Sequence, residues 1–121
     1  MNWYTPCAYN DAQKQSFHAT GRNRLKALAA ALDFKTGTYD VRSNHGGVAV
    51  SGEVTLHGEK LYVQISQPAT GADSGILIRT CKGRKDYTGG PNNFLPLSWL
   101  DQIEALAGYC QRILDREGGR P

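Results

Sequence analysis

The sequence predicts one α+β domain: a helix, a four-stranded antiparallel meander and a second helix, packed as a two-layer sandwich with both helices on one face of the sheet. Three observations predict it. Two segments carry apolar residues at helical spacing, near either end of the chain. Between them, residues 38–81 alternate apolar and polar with turn residues at intervals. A length of 121 residues fits one core.

The elements follow in order. Residues 1–17 show no clear period, but Trp3, Tyr4, Tyr9 and Phe17 are too aromatic for a loose tail, and burial of some of these rings is expected. The first helix is expected over residues 18–33, with Thr20 as N-cap, and Leu25, Leu28, Ala29 and Leu32 forming one stripe. Gly37 stands near its stop.

Thr38–Ser43 alternates as a first strand, and Asn44-His45-Gly46-Gly47 is a turn cluster. In Val48–His57, residues Val48, Val50, Val54 and Leu56 share one side. Gly58-Glu59 reads as a two-residue hairpin turn, which pairs Leu56 with Leu61, Val54 with Val63 and Gly52 with Ile65. The opposite face then carries Ser51, Glu53, Thr55, Tyr62, Gln64 and Ser66, facing solvent or a partner.

Residues 67–74 form a polar loop, and Ile76–Cys81 is a fourth strand with Ile76 and Ile78 inward. A basic, Gly-rich loop spans 82–97. The last helix covers 99–116, capped by Ser98 with Asp101 three residues on and ended by Gly118-Gly119. Its stripe is Leu100, Ile103, Ala107, Cys110 and Leu114.

The totals narrow the function. The apolar fraction of 40% and charged fraction of 21% are those of a globular domain. A formal charge of +3 is below that of a dedicated nucleic-acid binder, so any electrostatic role belongs to a local patch. No apolar run can span a bilayer, and Met1–Pro6 lacks the basic start and apolar stretch of a secretory signal. Cys7, Cys81 and Cys110 are odd in number and far apart, which fits reduced thiols in a cytoplasm and gives no C-x-x-C unit.

The conspicuous stretch is residues 79–93. Arg79, Lys82, Arg84 and Lys85 form a patch free of acid until Asp86, and Tyr87 offers a ring for stacking or burial. With Tyr62 on the exposed sheet face, these are the candidate binding residues. The alternative is a solvated crossover loop with Tyr87 tucked against the core edge. The G-x-x-x-x-G-K-[ST] spacing of a P-loop is absent.

No metal or other cofactor is expected. His45 and His57 lie at opposite ends of one predicted strand, roughly 40 Å apart, and His18 has no partner at i+3 or i+4. All three histidines read as exposed or lightly bonded. A Cys81–His57 dyad is expected to fail on distance, about 9–10 Å across two strands. The chain is therefore expected not to be an enzyme.

Two resemblances bear on function. The order helix, strands, helix with a basic loop before the last helix resembles the double-stranded-RNA-binding domain. That family has lysines where this chain reads Ser98-Trp99-Leu100-Asp101-Gln102, so its function does not carry over. The run Arg79–Gly90, with Asn93 after it, is similar to one in small accessory proteins of proteobacterial phages and plasmids. That resemblance implies a mobile-element setting. Small proteins of that setting often disable host defence by binding it, as anti-CRISPR inhibitors do. The expectation is a binding protein whose partner is a host protein or ribonucleoprotein complex. The alternative is a nucleic-acid-binding module using residues 79–87, and a small enzyme comes third.

Overall fold

The structure, a computed structural model, describes residues 2–67, 74–86 and 89–118. It is an α+β fold with two helices and an open, five-stranded antiparallel sheet. Helix α1 spans Asp11–Ala31; strands β1 Asp40–Asn44, β2 Glu53–His57, β3 Leu61–Ser66, β4 Ile76–Thr80 and β5 Asn93–Leu95 follow; α2 covers Ile103–Ile113. The strands lie side by side in chain order. The fifth strand corrects the four-stranded expectation, because Asn93–Leu95 pairs with β4 inside what reads as loop.

Helix α1 begins seven residues before its expected start. Asn10, not Thr20, is the N-cap, its side chain accepting from the Gln13 N–H at 3.0 Å. The irregular segment therefore stops at Asn10. The stop also precedes Gly37: Asp33 takes a left-handed backbone (φ 59) and donates its N–H to Ala30, while the Phe34 N–H reaches Ala29. This is the Schellman arrangement, with Asp where glycine is commonest.

Leu25, Leu28 and Ala29 are buried as expected, and so are Trp3 and Phe17, whose rings meet edge to face at 6.0 Å. Gly21 brings α1 onto the sheet. A Cβ at that position would lie 2.7 Å from Ile65 and 3.3 Å from Val54, so only glycine permits this approach.

The β2–β3 hairpin departs from the expected register. Val54 pairs with Ile65, Leu56 with Val63 and His57 with Tyr62. The turn sits one residue later than expected: the Gly58 N–H donates to the Leu61 carbonyl at 2.9 Å, which places Glu59-Lys60 at the tip. The slip is two residues, so every side chain keeps its face. Val54, Leu56, Val63, Ile65, Ile76 and Ile78 are all fully buried on one face.

Two further expectations fail. Residues 48–52 are not strand; Val48 is 72% and Val50 49% exposed. The Ser98 cap is not made either. Leu97–Asp101 is a 3-10 turn after Pro96, and α2 starts at Ile103 behind Gln102. The Ser98 N–H instead donates to the Tyr4 hydroxyl, and Asp101 accepts from the Trp3 indole N–H at 3.0 Å, tying the N-terminal segment to the last helix region. In α2, Ala107 and Cys110 are buried as expected, with Leu106 and Ile113 beside them. Part of the expected stop, Gly119, lies outside the described residues. No helix among the described residues is long and apolar enough to cross a membrane.

Candidate contact surface

Strand register sorts the second face of the sheet into rows. One row reads Asp40, His57, Tyr62, Arg79 across β1 to β4. The next reads Arg42, Thr55, Gln64, Leu77, Phe94 across all five strands. A third reads Asn44, Glu53, Ser66. Glu53, Thr55, Tyr62, Gln64 and Ser66 share this face as expected, but Phe94 joins them beside Leu77, and the face is not simply open to water.

The segment after β4 folds back over the first row. Its base is held by the Cys81 N–H donating to Lys60 and the Cys81 thiol donating to the Gly58 carbonyl at 3.3 Å. Asp86 closes the turn by accepting from the Lys82 N–H at 2.9 Å. Arg84 then reaches across the sheet to β1. Its Nη2 and Nε meet the two Asp40 oxygens at 2.7 and 3.2 Å, and Nη1 donates to the Gly37 carbonyl at 2.9 Å. Arg42 donates to the same carboxylate at 2.9 Å. Hydrogen bonds from Arg84 first, then Arg42, pull the Asp40 carboxyl down to about 2. The pair is too exposed to add much global stability. Its two-pronged geometry instead fixes where the loop lies.

This arrangement redistributes the expected binding residues. Arg84 is bound to Asp40. The Arg79 guanidinium sits 4.3 Å from the centre of the Tyr62 ring, and Tyr62, expected as an exposed anchor, is only 7% accessible. Its hydroxyl donates to Gln64 at 2.9 Å. Lys82 and Lys85 remain exposed. Tyr87 lies outside the described residues. The residue that sequence reasoning missed is Phe94, 54% exposed on β5 next to Leu77. Asn93-Phe94-Leu95 is too short for its alternation to stand out within a Gly- and Pro-rich stretch.

The titratable groups take buried rather than reactive roles. His18 and His57 are buried, against expectation, and His45 is exposed. Among the described residues no three His, Cys, Asp or Glu side chains come together as a metal site. Burial pushes the Cys81 thiol up, Asp86 adds to this, and the Gly83 backbone and Arg79 oppose it. Burial likewise raises Cys7, and it raises Cys110 to about 12. All three cysteines are free thiols and stay protonated at neutral pH. Burial lowers the pKa of His57, with backbone groups of Gly83 and Asp86 opposing.

A ladder on α1 shapes the other end of this face. Lys14, His18 and Arg22 stand four residues apart; the first two grip the β1–β2 connection and the third grips β1. Lys14 donates to the Gly47 carbonyl at 2.9 Å, His18 Nε2 to the Ser51 carbonyl at 2.8 Å, and Arg22 to Ser43 Oγ at 2.7 Å. His45 stacks on His18 at 4.0 Å. Burial lowers the His18 pKa; the Ser51 carbonyl opposes, and His45, Lys14 and Arg22 add to the lowering.

A group whose folded pKa is depressed binds its proton more readily in the unfolded chain. Stability is therefore full above the ordinary value of 6.5 and falls as pH drops below it. Melting temperature should be lower at about pH 5.5 than at about pH 7.5. His18→Asn should flatten that slope. A slope unchanged by the substitution would move the effect to His57, which shifts in the same direction.

Compared with family models, with curated proteins and with solved structures, the chain matches none.

Proposed function

We propose that the chain is a non-enzymatic binding protein that docks a partner protein on the second face of its sheet. The observation that carries this is the row Arg42, Thr55, Gln64, Leu77, Phe94, which ends in a large aromatic side chain open to solvent. Aromatic anchors dominate the energy of protein interfaces, and the surrounding cations steer encounter. With Arg84 bound to Asp40 and Arg79 stacked on Tyr62, this side of the molecule is a fixed mixed surface and not a comb of mobile cations.

Both helices are read as covering the apolar face, which leaves the second face for the partner; the seating of Gly21 on Val54 and Ile65 supports this for α1. Protonated, buried thiols support a binding role in a cytoplasm over thiol catalysis. The resemblance of residues 79–93 supplies the setting: an accessory protein of a phage or plasmid, inhibiting a host defence protein or ribonucleoprotein complex in the anti-CRISPR manner.

The second reading is single-stranded nucleic acid, which the exposed Lys82 and Lys85 and the Phe94 ring favour. The two readings differ in salt dependence. Two phosphate contacts give a slope of log K against log salt of about −1.5 to −2. We expect no appreciable binding to a generic duplex or single strand. We expect Phe94→Ala to weaken binding to a partner purified from the native host by about 30-fold, and Lys82→Ala or Lys85→Ala by only a few-fold. Tight, salt-steep binding to naked nucleic acid, indifferent to added host protein, refutes the proposal.

A further inference from the structure

We infer that Glu53 and the groove beside it form a docking site for a partner-protein segment that carries an arginine among apolar side chains. This deepens the protein-contact reading and rests on it. The groove encloses about 720 Å³, and its lining includes the apolar side chains of Tyr4, Pro6, Ala49 and Val50 together with Ser51 and Glu53. A smaller polar recess lined by Arg42, Thr55 and Tyr62 adjoins it, and Asn44 and Glu53 border both. The carboxylate thus stands where an apolar groove meets the polar face of the sheet.

The charge at that point is unusual for this chain. Glu53 is half-buried, is the only charged side chain lining the groove, and makes no hydrogen bond or ion pair among the described residues. The protein as a whole is cationic, with a formal charge of +3. The nearby Arg42 donates to Asp40. A partly desolvated carboxylate is stabilised by a cation that brings its own hydrogen bonds. A guanidinium does this with two parallel bonds, which an ammonium cannot match.

The walls are formed in advance. Gln67 donates to the Trp3 and Thr5 carbonyls at 2.9 and 2.8 Å and accepts from the Cys7 N–H at 3.1 Å, fixing the N-terminal wall. The Tyr4 hydroxyl accepts from Ser98, and the opposite wall is held through the His18–Ser51 bond. Tyr4 is 41% exposed and Val50 49%, so the apolar surface is open to an incoming side chain. Tyr9 takes a left-handed backbone (φ 62) with its N–H on the Val48 carbonyl at 2.8 Å, joining the two walls beyond the groove. Such preorganisation lowers the entropy lost on binding.

The test is a titration of the full chain with acetyl-Leu-Arg-Leu-amide and with acetyl-Leu-Gln-Leu-amide, read by backbone amide chemical shifts. The arginine peptide should shift the amides of Ala49, Ser51, Gly52, Glu53, Ser66 and Gln67. Its affinity should exceed that of the glutamine peptide by about five- to tenfold, and Glu53→Gln should remove that preference. Val50→Ser should weaken both peptides alike. Equal binding of the two peptides, or a preference that survives Glu53→Gln, overturns the site. Shifts centred on Leu77 and Phe94 overturn the groove and leave the wider contact face standing. Shifts produced by oligothymidylate and by neither peptide overturn both.

Discussion

Val63→Asp should unfold the domain. Val63 has no exposed surface and sits in register between Leu56 and Ile78, each equally buried. The inner row reads Val41, Leu56, Val63, Ile78 and ends at Asn93, so it offers no cation to pair with a carboxylate. The substitution removes about 1.5–2 kcal/mol of apolar burial. It also buries an unpaired acid, which costs several kcal/mol more or forces protonation. Domains of this size hold about 5–15 kcal/mol in total. Gln64→Asp, one residue on, places the same group on the polar face and should change stability by less than about 1 kcal/mol. Urea denaturation of the two variants checks this. A Val63→Asp midpoint equal to the parent's would mean that the faces are reversed.

That contrast rests on the part of the fold most legible in the sequence. Period-two alternation identifies which residues share a face, and faces survive errors of register. The hairpin shows why. Gly58-Glu59 satisfies a two-residue turn, yet the chain closes the turn from Gly58 to Leu61. The choice depends on what surrounds the turn: Lys60 accepts from the Cys81 N–H, so the shifted turn is tied to the chain just past β4.

Alternation alone also misleads. Val48 and Val50 continue the pattern of Val54 and Leu56, but Gly46 and Gly52 both hold left-handed backbone, and the ladder from α1 holds the segment as a loop. That ladder uses Lys14 and His18 as buried residues, so the first half of α1 shows no apolar stripe, and the helix start is hidden. The site was less legible than the fold. Arg84 and Asp40 are 44 residues apart, and nothing in their local sequence announces the pair that pins the basic loop to the sheet. The basic patch could be read from the sequence, but its internal use depends on the fold.

Gly52→Ala should cost about 3 kcal/mol, on the order of 10–15 °C in Tm. Two separate penalties combine. Gly52 has φ +72, a conformation that costs a residue with a Cβ about 1–2 kcal/mol. An added Cβ would also collide with the Asn44 carbonyl oxygen and lie 2.8 Å from that of His45. Those are backbone atoms at the end of β1, so relief requires the strand end or the loop to move. Movement of the loop would disturb the neighbouring Ser51 carbonyl and its bond from His18, and would shift Glu53, which pairs with Asn44 and Ser66. The variant should therefore lose stability and the arginine-peptide response together. Gly47→Ala is the control: nothing lies within 4 Å of its Cβ, and the same loop carries it. It should melt within about 1 kcal/mol of the parent and keep the groove. Equal melting of the two variants would show that the loop yields freely at Gly52, and that the α1 ladder does not hold it against the sheet.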